Sequence, residues 1–240
     1  MSNHQIIRDE DKLKEFIDWL PELGTDEVFF LCLQARRKYL PTLKSSDKQQ
    51  LKRFVATKRR LFDKIRQLEC PVGSYLTNDG EPIPDQALAL YITLNPRDMR
   101  KATYASIKAL VDVLQHPGKE LNPHSEVLSE IHKAKGRSTY VHFDLDMPTG
   151  DASDDNANKC PLSLQEVKEF VASVVGEAAT TIVRTRGGCH VLIAPDKVQS
   201  EHKNWYPIVR KQLVCDQTGD LMIPVVGTNQ GGFIPHFYVC

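Results

Sequence analysis

The chain has 240 residues, 41% hydrophobic and 26% charged, and its 31 lysines plus arginines are balanced by 31 aspartates plus glutamates. That is room for one large domain or two small ones of ordinary globular composition, and a balanced charge singles out no class of partner. No uninterrupted apolar run reaches about 18 residues and the opening MSNHQIIRDEDK is polar, so neither a membrane span nor a secretory signal is visible and a cytoplasmic setting is expected. The six cysteines, Cys32, Cys70, Cys160, Cys189, Cys215 and Cys240, form no C-x-x-C pair, which argues against a zinc ribbon and gives no disulfide framework.

In chain order, DKLKEFIDWL has helical spacing, with Leu13, Phe16, Ile17 and Leu20 on one side before Pro21. EVFFLCLQARRKY opens with β-formers and turns basic, which predicts a strand leading into a positive segment. A long helix is expected next, capped at Ser46 or Asp47, with Leu51, Phe54, Val55, Leu61, Phe62 and Ile65 as its apolar stripe. Between Arg36 and Arg66 the basic residues outnumber the acids Asp47 and Asp63 several-fold. Arg36, Arg37, Lys52, Arg53, Lys58, Arg59 and Arg60 are therefore candidates to neutralise a phosphate backbone, against the alternative of a solvated helix face. Asn78-Asp79-Gly80 marks a tight turn. ALALYITLNP predicts a second strand, YASIKALVDVLQHPG a helix stopped by Pro117 and Gly118, and Gly118 to Arg137 a surface connection with some helix.

The second half is more regular. The strand TYVHFDLD, an acidic loop, a helix from Ser163, the strand TTIVRT, a Gly187-Gly188 turn, the strand CHVLIA and the helix HKNWYPIVRKQLV follow one another. A strand, a crossover helix and two more strands predict an RRM-like α/β sheet, so the fold class expected is α+β.

The chemistry concentrates in YVHFDLDMP, Tyr140 to Pro148. Alternate strand residues share a face, so Asp144 and Asp146 lie on one side with His142, and Val141, Phe143 and Leu145 on the other. Two like charges so close repel unless a cation sits between them or one holds a proton. An adjacent strand can bring His190 to the same face, and Gly187 and Gly188 would admit a ligand's close approach. A third acid is available at Asp216 or Asp220. Three carboxylates and a histidine suit a two-metal nucleotidyl-transfer site holding Mg²⁺ or Mn²⁺.

The ordered set YVHFDLD, TRGGCH and an aspartate before IPVVGT resembles the three motifs of the archaeo-eukaryotic primase superfamily. The resemblance covers Tyr140 to about Phe233. It implies a single primase-polymerase catalytic domain over 1–240, with a basic, helix-rich, strand-containing subdomain at 1–118 and an RRM-like metal- and nucleotide-binding subdomain at 119–240. Position by position it implies that Asp144 and Asp146 are metal ligands and that His190 contacts the nucleotide. Asp216 is preferred as the third carboxylate for its hydrophobic lead QLVCD, with Asp220 the alternative. Ile223 stands where the family often has a basic residue, so Arg184, Arg186 or Lys211 would have to serve the triphosphate. The activity implied is DNA primase or polymerase chemistry on NTPs or dNTPs along a single-stranded or primed DNA template, with any helicase or other replication protein a separate partner.

Two further classes stay open. A rolling-circle initiator would need His-hydrophobic-His, whereas the chain has His142-Phe143-Asp144, and a nucleophilic tyrosine such as Tyr206. A noncatalytic nucleic-acid-binding module would read bases with sheet aromatics, where this strand carries aspartates. Asp151, Asp154 and Asp155 lack EF-hand spacing and read as a loop. GTNQGGF, Gly227 to Phe233, is either a phosphate-approaching loop or a tight turn.

Overall fold

Glu27–Arg36 becomes strand β1 because its apolar residues run almost unbroken, as in a strand covered on both faces. The computed structural model describes residues 2–43, 48–115, 122–148, 159–199, 204–213 and 217–239. Helix α1, Glu10–Trp19, precedes β1, with Asp9 capping it by accepting from the Lys12 amide and Leu13 and Phe16 turned inward.

The expected long helix is not there. Lys48–Ala56 is strand β2, antiparallel to β1, and only Leu61–Arg66 is helical, as the short α2. Leu51, Phe54 and Val55 suit a helical period and a two-residue period alike. The open edge of a buried β1 decides between them: pairing gives β1 the ladder its backbone needs. Ser46 and Asp47, the expected caps, lie outside the described residues.

Strand β3, Leu88–Thr93, is buried along its whole length and pairs with the other side of β1, while β4, Arg97–Asp98, caps the end of β1. Helix α3, Met99–Gln115, starts five residues before the expected YASIK, and Pro117 and Gly118 lie outside the described residues. The expected surface connection contains helix α4, Pro123–Lys133, whose Leu128 and Ile131 pack with Phe30 and Cys32 of β1. The turn at Asn78-Asp79-Gly80 is present, closed by the Gly80 amide donating to the Thr77 carbonyl, with Gly80 at φ +82°.

Strand β5, Val141–Asp146, helix α5, Leu164–Val175, strands β6, Thr180–Arg184, and β7, Gly188–Ile193, and helix α6, Trp205–Leu213, follow the sequence reading closely. Ser163 starts α5 with a complete capping box to Glu166. Strands β8, Gln217–Gly219, β9, Met222–Pro224, and β10, His236–Phe237, complete two antiparallel five-stranded sheets. One runs β2-β1-β3-β9 with β4 on β1; the other runs β10-β6-β7-β5-β8.

Chain halves and sheets do not coincide. Strand β9 comes from the second half but pairs with β3 in the first sheet. Tyr140, Val183, Leu192 and Ala194 share one apolar core with α1, β1 and β3. The other face of the second sheet, with Phe143, Leu145, Cys189 and Val191, packs under α5 and α6. That leaves the face of β5 carrying the aspartates turned toward the first sheet.

Candidate active site

The antiparallel register of β5 and β7 sets Asp144 directly opposite His190 and Asp146 opposite Gly188. His190 Nδ1 lies 3.6 Å from Asp144 Oδ1. The Asp144 side chain is 35% exposed and that of His190 only 7%, so the carboxylate meets solvent while the imidazole lies behind it. Burial holds His190 below its ordinary pKa, and the Asp144 charge opposes that shift without reversing it.

These side chains line one wall of a cavity of about 250 Å³ whose other wall comes from the first sheet. Arg36 at the end of β1, Lys38 and Tyr39 in the 3-10 turn Arg37–Tyr39 that follows it, Lys48 at the start of β2, and Tyr91 of β3 face the aspartates across it. Arg36 is 8% exposed and its Nη1 donates to the Tyr91 hydroxyl at 2.7 Å. The Tyr39 and Tyr91 hydroxyls are 3.3 Å apart, and Gln230 Nε2 donates to Tyr39 at 2.9 Å. Burial raises the Tyr91 hydroxyl well above the phenol range, reinforced by Tyr39 and opposed by Arg36, so it stays protonated. The cavity thus opposes three cations to two carboxylates, an arrangement suited to a polyanion bridged by divalent ions.

The other sequence-predicted residues fall elsewhere. Asp216 lies outside the described residues, as do Asp151, Asp154 and Asp155. Asp220 does not reach the cavity: its carboxylate pairs with Arg97 at 2.5 Å and accepts from Asn95 Nδ2 at 3.1 Å. Among the described residues no three His, Cys, Asp or Glu side chains converge to hold a metal. Asp144 and Asp146, a pair of oxygen donors at the cavity, nonetheless fit part of a Mg²⁺ or Mn²⁺ ligand set.

Arg184 pairs with Cys189 on the face opposite His190, and its Nη1 donates to the Gly188 carbonyl at 3.1 Å. Arg186 stacks over the Tyr39 ring at 4.9 Å and donates to the Gly231 carbonyl. Neither lines the cavity, and Lys211 on α6 does not either. Of the basic segment only Arg36 does so among the seven candidates. Arg53 is tied to Ser125 Oγ at 2.5 Å and Ser129 Oγ at 3.0 Å on α4. Lys58 caps the end of α1 through the Asp18 and Leu20 carbonyls and Glu22. Arg37, Lys52, Arg59 and Arg60 are exposed, and Lys52 joins Phe54 and Lys64 around a second cavity of about 410 Å³.

Two smaller expectations are decided by backbone hydrogen bonding and by close packing. In GTNQGGF every backbone amide from Gly227 to Phe233 donates within the protein, so the segment is a tight turn and not an anion cradle. The close approach at Gly188 is by the chain itself: a Cβ there would come within 1.8 Å of the Leu145 carbonyl oxygen. His142, on the same strand face as the aspartates, is fully buried, and burial pushes its pKa down to about 3.

Tyr39 and Tyr91 are not among the sequence candidates, Lys38 and Lys48 enter only as members of the basic segment, and Gln230 only as part of GTNQGGF. The usable signal is small: Arg36 ends a strand and Lys38 follows it in a basic turn, and nothing local says that this end faces β5.

Fold and site together define an α+β protein of six α-helices and two five-stranded antiparallel sheets, counted among the described residues, with an acidic-basic cavity between the sheets. No protein-family model, curated protein or solved structure matches the chain.

Proposed function

We propose that the chain is a template-directed nucleotidyltransferase of the archaeo-eukaryotic primase type, a DNA primase or polymerase using NTPs or dNTPs. The observation that carries this reading is the Asp144–His190 register at a cavity whose far wall is cationic. Supporting it, β5-α5-β6-β7-α6-β8 with spatial order β6-β7-β5-β8 is the strand-helix arrangement of an RRM-like sheet, the fold expected from the three motifs.

Asp144 and Asp146 would hold Mg²⁺ or Mn²⁺. Such ions, when bound, favour the ionised 3′-hydroxyl and offset charge on the departing pyrophosphate. The chain's own contribution is binding and orientation. Arg36, Lys38 and Lys48 seat the triphosphate, taking the role that Ile223 vacates in the last motif. Tyr91 and Tyr39 hold the Arg36 guanidinium in place, so little side-chain freedom is lost on binding. His190, uncharged at neutral pH, contacts a phosphate oxygen. Exposed Arg37, Lys52, Arg59 and Arg60 are the candidates for the DNA template. The enzyme would act in the cytoplasm or on the nucleoid, with helicase and other replication functions in separate partners.

The rolling-circle reading gains no support, since His142 is buried and the Tyr206 hydroxyl is 3.1 Å from Thr218 Oγ1. Titration of a labelled dNTP with and without Mn²⁺ tests the proposal. Metal-dependent binding that Asp144→Ala plus Asp146→Ala abolishes is expected. Nucleic-acid binding with no nucleotide or metal response would instead favour a noncatalytic module.

A further inference from the structure

Strand β2 ends the order β2-β1-β3-β9, so one of its edges is open. Which backbone groups that edge offers follows from its neighbours. On β3 the Leu90 carbonyl accepts from the Val225 amide, so Leu90 bonds away from β1. Leu33, opposite Leu90, therefore bonds toward β2, and Leu31 does the same two residues back. Phe30, of the other parity, agrees: its amide donates to Thr93 Oγ1 on β3. The partners of Leu31 and Leu33 on β2 are Phe54 and Lys52. Arg53 between them turns its amide and carbonyl outward, and no described residue beyond β1 bonds to its backbone.

The cavity of about 410 Å³ lies along this edge, lined by Lys52, Arg53 and Phe54 in succession. Alternate side chains leave a strand by opposite faces, so three consecutive residues meet one cavity along the edge. The Arg53 guanidinium is held on the α4 side by Ser125 and Ser129, so what it brings to the cavity is backbone. Leu68 and Tyr75 join the half-buried Phe54 as apolar lining. Lys52 and Lys64 bring positive charge, no acidic side chain lines the cavity, and no described carboxylate pairs with either lysine. The volume falls within the range of ligand pockets, about 300–1,000 Å³.

An open edge, an apolar pocket beside it and uncompensated cations are the parts that strand addition uses: main-chain bonds give affinity, and pockets for alternate side chains give specificity. A phosphate backbone would meet the lysines but offers no donor to the Arg53 carbonyl. A second copy of the chain would set its own edge lysines, Lys48 and Lys52, against these, the usual guard against edge-to-edge pairing.

We propose that the β2 edge at Arg53 docks an extended acidic segment of a partner protein, which adds as a strand, places an apolar side chain beside Phe54 and Leu68, and sets a carboxylate against Lys52 and Lys64. The partner residue opposite Arg53 takes both of its free backbone groups. The two residues flanking it share the face of Lys52 and Phe54. The recognised pattern is therefore apolar-x-acidic along an antiparallel strand, and acidic-x-apolar along a parallel one. The site needs nothing from the nucleotidyl-transfer reading and stands or falls apart from it.

The test is fluorescence anisotropy of the full chain with a panel of capped, dye-labelled heptapeptides centred on apolar-Thr-Glu or Glu-Thr-apolar, the apolar place being Val, Leu or Phe. At least one should bind with a Kd below about 1 mM. Lys52→Glu and Lys64→Glu should each weaken that peptide at least about tenfold, through like-charge repulsion. Methylating the backbone nitrogen of the central threonine removes the donor to the Arg53 carbonyl while leaving the protein untouched. It should abolish binding, and saturation with the unmodified peptide should protect the Arg53 amide from hydrogen exchange. A panel that does not bind, or binding indifferent to N-methylation and to both lysine variants, would overturn the proposal. Oligothymidylate binding that the two lysine variants weaken, with no response to the peptides, would overturn it in favour of nucleic acid. An Arg53 amide protected only as the free chain dimerises would do so in favour of a second copy.

Discussion

Gly188→Ala adds one methyl group where β5 and β7 leave no room for it. The new Cβ would lie 1.8 Å from the Leu145 carbonyl oxygen, 2.9 Å from its carbon and 3.1 Å from Asp146 Cα. All three atoms are backbone, so no flexible side chain can swing aside. Real Cβ contacts essentially never fall under 3.0 Å, so the strands must part by more than an ångström beside the Asp146↔Gly188 pair. Overpacking costs about 1–3 kcal/mol, and each ladder bond put at risk adds about 1 kcal/mol. A loss of about 3 kcal/mol or more is expected from these two contributions together. Gly187→Ala is the matched control: its nearest neighbour is Asp146 Oδ1 at 3.8 Å, an ordinary contact, and its φ lies outside the left-handed region. That change should stay within about 1 kcal/mol of wild type. Urea unfolding of the three proteins measures the difference at constant m-value. Equal midpoints for the two alanine variants would refute the idea that this strand approach sets the Asp144–His190 geometry.

Other expectations follow from the same structure. The folded pKa of His142, about 3, lies below its ordinary 6.5, so the unfolded chain takes up the proton first as pH falls. Stability is complete above pH 6.5 and declines below it, by about 2 kcal/mol at pH 5 from this group alone; His142→Phe should flatten that slope in pH-dependent melting, and an unchanged slope would contradict the assignment. Arg97→Met leaves Asp220 unpaired at 11% side-chain exposure, and chemical denaturation should register a loss of about 3–5 kcal/mol, largely relieved by adding Asp220→Asn. Arg36→Ala and Lys38→Ala should each weaken nucleotide binding at least about tenfold, as expected for loss of a charge-assisted phosphate contact, whereas Arg184→Ala, facing away from the cavity, should change it by less than about threefold; the reverse order in a binding titration would move the triphosphate seat to β6.

What could be read in advance was local. The period-two alternation of Asp144 and Asp146, the helix starting at Ser163, and the Gly187-Gly188 turn into β7 are each written within a few residues, and each has the structure it implies. The spacing of Lys48–Ala56 satisfies a helical and a two-residue period alike, and what decides between them, the unpaired edge of β1, lies some twenty residues away in sequence. The far wall of the cavity was illegible for the same reason. Arg36, Lys48, Tyr91 and Gln230 meet Asp144 only because β9 crosses back to β3 and ties the sheets together. Asp220 shows the converse: the sequence offers it as the alternative to Asp216 for a third carboxylate, and nothing local tells that the buried Arg97 pairs with it.

The most direct measurement is primer extension and primer-free synthesis on single-stranded DNA, with Mg²⁺ or Mn²⁺ and all NTPs or dNTPs, comparing wild type with Asp144→Ala plus Asp146→Ala. Metal-dependent products that vanish in the folded double variant are the predicted result. Products of equal yield from the folded double variant, or none from folded wild type under any metal and nucleotide condition, would contradict the assignment of this site to nucleotidyl transfer.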